Sequence, residues 1–193
     1  MNNKVNSRRD FIKTMAAATA LAVVPQVMFG KEMQSSSKIL VVYFSHTGNT
    51  KALGQQIQSI VGGDVFEIEP VTPYPSELAD IRGRANAEKE ASNFPSLKAK
   101  VQNINTYDVI FIGTPVWMGS YSVPISSFVA EHNLAGKTVI PFVTYNGNAG
   151  NSLEDLTNLF PNSKTLKGLS VKGTEVNESK SQISEWISSL GIK

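Results

Sequence analysis

Three runs of β-branched and aromatic residues, each separated from the next by a helical pattern, constrain the fold of this chain most. The runs are KILVVYF at residues 38–44, YDVIFIG at 107–113 and KTVIPFVT at 137–144. Runs of this kind are typical of strands buried on both faces, and strands that alternate with helices pair in parallel. The sequence therefore predicts an α/β fold with a central parallel sheet and helices on both faces.

Weaker patterns complete this arrangement. Short strands are predicted at residues 64–68 and 166–171. Amphipathic spacing predicts helices over residues 50–60, 77–91, 122–132, 151–160 and 178–190, and Trp186 is expected to pack in the core from the last of them. No internal repeat or second domain is visible, so residues 38–193 are expected to form one domain.

Composition excludes several classes of function. The chain contains no cysteine, which rules out disulfides, thiolate metal sites and a catalytic thiol. From Lys38 onward there are 13 basic against 14 acidic side chains, so the body has no basic excess for binding nucleic acid. Neither histidine has metal-ligand spacing with another ligand, and no catalytic Ser/His/Asp order is convincing, so no metal or catalytic residue is predicted.

The amino terminus carries an export pattern. Residues 7–13, SRRDFIK, resemble the twin-arginine consensus, and a mostly apolar run follows at 15–29. This run is shorter than the ~20 residues of a membrane-spanning helix. The sequence predicts a signal peptide and linker over 1–37, localisation in the periplasm or cell envelope, and no stable membrane span after processing. An amphipathic arm or weak membrane anchor is the alternative.

The loop after the first strand has the composition of an anion site. Residues 45–50, SHTGNT, supply three hydroxyls and a run of backbone N–H groups where a helix begins. Unpaired amides and the helix dipole favour a phosphate at such a position. Gly48 allows the backbone to close around the ligand. We expect this loop to bind a phosphate, although a simple polar turn would explain the motif alone.

Two further loops leave the carboxyl ends of the next buried strands. Residues 114–120, TPVWMGS, and 144–150, TYNGNAG, each bring one aromatic residue and flexible backbone to the edge where ligands bind in open parallel sheets. Loop aromatics often only cover a core. Beside a phosphate site, however, Trp117 and Tyr145 suggest that a flat ring is held against aromatic faces.

With these three loops in this order, the chain after residue 37 resembles the flavodoxin family, particularly its single-domain short-chain branch. The segment FEIEPVTPYP at 66–75 is similar to a flavodoxin-like subgroup of anaerobic bacteria. The resemblance implies a three-layer sandwich with a five-stranded sheet of order 2-1-3-4-5, FMN as cofactor, one-electron transfer and redox protein partners. The FMN-binding residues that it implies are Ser45, His46, Thr47, Gly48, Asn49, Thr50, Pro115, Val116, Trp117, Met118, Gly119, Thr144, Tyr145, Asn146 and Gly147.

The chain departs from the family in its charge. Flavodoxins surround the flavin with carboxylates, whereas this body is near neutral and has Ser120, Asn146 and Asn148 in its loops. An electron carrier of the cell envelope is the leading hypothesis. The alternatives are an FMN-dependent NAD(P)H:quinone-type oxidoreductase and a flavin-free binding module that kept the fold.

Some residues near these loops have simpler interpretations. His46 is expected to face solvent, with its backbone N–H in the phosphate loop, and His132 to lie at a helix end. Arg82, Arg84 and Lys89 alternate with carboxylates, which favours a solvated helix face over a docking patch for an acidic partner.

The double substitution Arg8→Lys/Arg9→Lys should retain the protein in the cytoplasm, because the twin-arginine route recognises the arginine pair and not the charge alone. Cell fractionation and detection of the protein in each fraction measure the outcome. A variant that reached the envelope in the wild-type amount would contradict the twin-arginine assignment.

Overall fold

The computed structural model describes residues 37–192, so the predicted signal peptide lies outside the described residues, as does all of its linker except residue 37. The strands are β1 (Ile39–Tyr43), β2 (Asp64–Glu67), β3 (Val109–Trp117), β4 (Ser120–Tyr121), β5 (Thr138–Tyr145), β6 (Lys164–Thr165) and β7 (Leu169–Lys172). The helices are α1 (Asn49–Val61), α2 (Leu78–Glu90), α3 (Pro124–Glu131), α4 (Ser152–Asn158) and α5 (Lys180–Ser189), with 3-10 turns at Ile104–Thr106 and Gly173–Glu178.

The sheet has the order β2-β1-β3-β5, and β6 and β7 pair one after the other with β5. All of these pairs are parallel, with Val41 opposite Phe111 and Phe111 opposite Ile140. The predicted parallel sheet of order 2-1-3-4-5 is confirmed, with β6 and β7 together in the fifth position.

Alternate strand residues face two separate core clusters, as expected for a sheet covered on both sides. Val42 of β1 belongs to the cluster that contains Phe128 of α3, whereas Val41 belongs to the cluster that contains Leu53 of α1. Trp186 of α5 is buried in the second cluster and donates its indole N–H to the Lys167 carbonyl at 2.8 Å. The expectation that Trp186 packs in the core is therefore confirmed.

The fifth strand position differs from the prediction of one strand over 166–171. The structure has two short strands, because pairing stops between Val139 and Phe142 of β5. Pro141 lies in this gap and has no N–H to donate to a continuous ladder. The short segment between β6 and β7 passes this point, with Gly168 packed against Pro141.

Strand β3 is longer than predicted and includes half of the expected loop 114–120. Thr114 and Pro115 still pair with β5, and Trp117 pairs antiparallel with Ser120 of β4. The buried Thr114 hydroxyl also forms a hydrogen bond of 2.7 Å with the Ser122 hydroxyl. The second predicted ligand loop is therefore a tight hairpin continuous with the sheet.

His132 directly follows α3, in agreement with the expected helix-end position. Its side chain is buried and stacks on Phe128, with ring centroids 4.2 Å apart. Nδ1 is 2.8 Å from the Phe128 carbonyl oxygen, and Nε2 accepts a 3.0 Å hydrogen bond from the Val101 N–H. His132 therefore fastens the long connection between α2 and β3 to the end of α3.

Close packing between β3 and β5 gives a stability prediction. A Cβ atom at Gly113 would overlap the buried Phe142 ring, so Gly113→Ala should lower the free energy of unfolding by about 1–3 kcal/mol. Gly83 of α2 has nothing within 4 Å of a built Cβ, so Gly83→Ala should raise it by about 0.5–1 kcal/mol. Urea unfolding measures both. If Gly113→Ala kept the wild-type free energy of unfolding, β3 and β5 would be less closely packed than the structure indicates.

Candidate functional site

The carboxyl ends of β1, β3 and β5 open into one cavity of about 560 Å³. Such a volume lies within the range of small-molecule sites. The cavity brings together twelve of the predicted site residues: His46, Thr47, Asn49, Pro115, Val116, Trp117, Met118, Gly119, Thr144, Tyr145, Asn146 and Gly147. The lining residues that the sequence did not predict are Ser76, Leu78, Ile81, Arg82 and Asn148.

The predicted phosphate loop connects β1 to α1. Gly48 precedes the helix with φ 95°, and no side chain caps the helix amino terminus. The first amides of α1 therefore have no partner within the helix. The Ser45 hydroxyl in the same loop is buried without a hydrogen-bond partner. The unpaired helix amides fit a phosphate, and the dipole of α1 adds to the attraction.

The nearest lysine does not add a free charge to this loop. Lys51 Nζ is 2.6 Å from a Glu67 carboxylate oxygen, and this hydrogen bond raises the pKa of the lysine. Since the ion pair balances both charges, backbone amides and hydroxyls are the groups of this loop that remain to hold an anion.

The loop hydroxyls are not equivalent. Thr47 is exposed at the loop tip, where it lines the cavity. Thr50 is buried, and its hydroxyl lies 2.7 Å from the Thr144 hydroxyl at the end of β5. Thr50 therefore connects the first loop to the third in addition to facing the helix start. Ser45, Gly48 and Thr50 do not line the main cavity, although Ser45 lines a smaller one of about 280 Å³ behind the loop.

Trp117 lies in the wall of the cavity and not at an open mouth. Only 6% of its surface is exposed, and its ring centroid is 4.7 Å from that of Tyr74 and 5.5 Å from that of Phe44. His46 packs at its edge with centroids 6.0 Å apart, so His46 is half-buried and not fully solvent-facing. Tyr145, on the opposite loop, is the more accessible aromatic.

The turn after Trp117 is defined by two residues with positive φ, Met118 at 50° and Gly119 at 78°. Two such residues are typical of the primed turns that close hairpins. The Gly119 carbonyl accepts a 3.1 Å hydrogen bond from the Asn151 N–H, and Gly150 packs directly on it. The turn is therefore fixed to the start of α4, while Met118 remains 40% exposed at the cavity.

The cations of α2 have different environments. Arg84 binds Glu88 at 2.7 Å, donates to the Thr72 and Pro73 carbonyls and lies over the Tyr74 ring. Lys89 is half-buried, and desolvation lowers its pKa. Arg84 is held by these contacts and Lys89 is half-buried, so neither side chain lies on the solvated face that the sequence favoured.

Tyr74 is fixed by the same helix. Its hydroxyl donates to the Glu88 carboxylate, and burial together with this bond raises the pKa of the phenol well above its usual range. Since Tyr74 also packs on Trp117, the connection at residues 70–76 and helix α2 together support the cavity wall.

Within residues 37–192, no three side chains are grouped so as to hold a metal ion. The helices of the same part of the chain include none that is long and apolar enough to cross a membrane.

The fold and the three loops define an α/β protein with a candidate ligand site, a cavity at the carboxyl edge of its sheet. Residues 38–190 match the family model described as flavodoxin, so the chain belongs to the flavodoxin family. Residues 5–25 match the signal sequence of the twin-arginine translocation pathway, which confirms the predicted export signal.

Solved structures agree with this assignment. A candidate flavoprotein from Bacteroides eggerthii is 36% identical with a TM-score of 0.72, over 81% of this chain and 99% of that one. A second, from Bacteroides uniformis, is 31% identical with a TM-score of 0.69, over 79% and 99%. A flavoprotein in complex with FMN from Lactobacillus acidophilus, 21% identical with a TM-score of 0.64 over 74% and 97%, shares the fold. None of the curated proteins matches the chain.

The buried contact between Thr50 and Thr144 can be tested without a ligand. Thr50→Val should lower the free energy of unfolding by about 1–3 kcal/mol, because it leaves the Thr144 hydroxyl buried and unpaired. The double variant Thr50→Val/Thr144→Val should recover part of this loss, since it removes both polar groups. Denaturant unfolding of the flavin-free proteins measures the free energy of unfolding of each variant in this double-mutant cycle. Strictly additive losses would contradict a direct bond between the two hydroxyls.

Proposed function

We propose that the exported protein binds FMN non-covalently at this cavity and carries electrons between redox partners in the periplasm or cell envelope. The observation that carries the proposal is the start of α1 beside this cavity: no side chain caps the helix, and Thr47 and Asn49, on either side of Gly48, line the space. Helix amides without a capping partner favour an anion, and a phosphate would satisfy them.

The rest of the cavity suits a flat ring. Tyr145, Trp117 and the Met118–Gly119 turn line it together, so aromatic, thioether and backbone surfaces surround one space. The family membership and the FMN complex of the Lactobacillus acidophilus relative support the same cofactor. The flavin supplies the redox chemistry when bound, and the protein binds it, orients it and limits its contact with water.

An electron carrier fits the chemistry of the lining residues. The lining holds one histidine, His46, and no carboxylate, so it offers no histidine–carboxylate pair for acid–base catalysis. Electron transfer to and from a bound flavin needs no such pair. The twin-arginine signal also suits a protein that folds with its cofactor before export.

The cavity charge bears on the potential of the flavin. The lining contains no carboxylate. Reduction makes a flavin more negative, and nearby carboxylates would oppose this by repulsion. The potential for adding the second electron is therefore expected to lie above that of acidic flavodoxins.

FMN titration of the flavin-free protein tests the proposal. Thr47→Ala should weaken FMN binding about tenfold or more, because a hydrogen bond to a charged phosphate is worth roughly 1.5–3 kcal/mol. The binding of riboflavin, which lacks the phosphate, should hardly change. Tryptophan and flavin fluorescence report both affinities. Protein that binds neither ligand would refute the cofactor assignment and favour the flavin-free binding module.

A second measurement separates the carrier from the reductase. Anaerobic addition of NADPH or NADH to the FMN-loaded protein should leave the absorbance of oxidised flavin unchanged, whereas dithionite should bleach it. Rapid bleaching by either nicotinamide would favour the oxidoreductase.

A further inference from the structure

Arg82 differs from the other cations of α2 because it faces the cavity. Leu78, Ile81 and Arg82 all line this space, and their spacing places them on one face of the helix. The exposed carboxylates Glu77 and Asp80 do not line it. The rotation of α2 therefore places Arg82, but neither Glu77 nor Asp80, on the side that faces the cavity.

The Arg82 guanidinium has no ion-pair or hydrogen-bond partner among residues 37–192. By contrast, Arg84, two residues further along, has three hydrogen-bonding partners and an aromatic ring. Because the cavity lining contains no carboxylate, the charge of Arg82 is not balanced from within the site. An unpaired guanidinium is a ready partner for a carboxylate, sulfonate or phosphate.

Apolar side chains are exposed beside this charge. Leu78 is 62% exposed and Met118 is 40% exposed, and both line the cavity with Arg82. Together they present an apolar surface next to a cation, which matches a flat ring that carries an anionic group. A broad acidic protein surface fits less well, because Glu77 and Asp80 on the same helix would repel it.

We propose that Arg82 is a specificity-determining residue of this site, which selects small, flat electron acceptors that carry an anionic group. This inference rests on the proposed binding of FMN, since the acceptor would react with the bound flavin. Reduced cofactor held at this site would supply two electrons and one proton to a quinone, and solvent would supply the second proton. The quinone would become a hydroquinone and the cofactor would return to its oxidised form.

The test compares two quinones, 1,4-naphthoquinone-2-sulfonate and the neutral 2-methyl-1,4-naphthoquinone. The FMN-loaded protein, purified after export, is reduced with dithionite, and stopped-flow absorbance follows reoxidation by each quinone at 10 mM salt. The quantity compared is the ratio of the two rate constants, anionic over neutral. Differences in the intrinsic reactivity of the quinones cancel when this ratio is compared between variants.

Arg82→Gln should lower the ratio about threefold to tenfold, and Arg82→Glu should lower it further, because local charge controls the encounter with an anion. Arg82→Lys should stay within about twofold of the wild type. Lys180→Gln is the matched control: it removes one exposed positive charge on α5, outside the cavity, and should leave the ratio unchanged. Raising the salt to 200 mM should shrink the difference between wild type and Arg82→Gln.

The outcomes separate the two proposals. Protein that does not retain FMN would overturn the proposed cofactor and this inference with it. Protein that retains FMN but gives the same ratio in wild type, Arg82→Gln and Arg82→Glu would overturn the inference alone. An equal fall in Lys180→Gln would also overturn it, because the effect would then come from net charge and not from the position of Arg82.

Discussion

The parallel ladder between β3 and β5 is the constraint on which the site depends. It runs without interruption from the pair Val109 and Thr138 to the pair Pro115 and Thr144. Because β1 pairs with the other side of β3, the three strands end at neighbouring positions on one edge. The phosphate loop, the hairpin after Trp117 and the loop after Tyr145 therefore surround a single space. The close contact of Gly113 with Phe142 belongs to the same ladder.

The sheet could be predicted because its information is local. Uninterrupted apolar runs identify β1, β3 and β5, and the loop composition at their ends identifies the edge that binds ligands. The fifth position was harder to predict. Its break is opposite Pro141, a residue of the neighbouring strand, so the cause lies outside the segment that breaks.

The details of the site depend on contacts between distant segments. Thr50 and Thr144 are 94 residues apart, and neither one indicates that the two hydroxyls meet. Trp117 was expected at the ligand-binding edge of the sheet, and nothing near it in sequence shows that Tyr74 covers it. Arg82 was grouped with Arg84 and Lys89 on composition, whereas the rotation of α2 gives each a different environment. The helical spacing of Leu78, Ile81 and Arg82 could have distinguished Arg82 from the other two cations. This spacing places the arginine on the face of α2 that carries the buried Ile81.

Binding at the start of α1, where Lys51 is already paired with Glu67, would rely on neutral amides and hydroxyls and so on groups that add no charge of their own. The phosphate would bring about −1.5 to −2 charges to the molecule as a whole. The chain from Lys38 onward carries a formal charge of −1. A bound phosphate would therefore make the loaded protein about two and a half to three times as negative as the empty one. The two forms should migrate as separate bands in native electrophoresis or isoelectric focusing. Loading with the cofactor is thus visible as a change in mobility, independently of flavin colour.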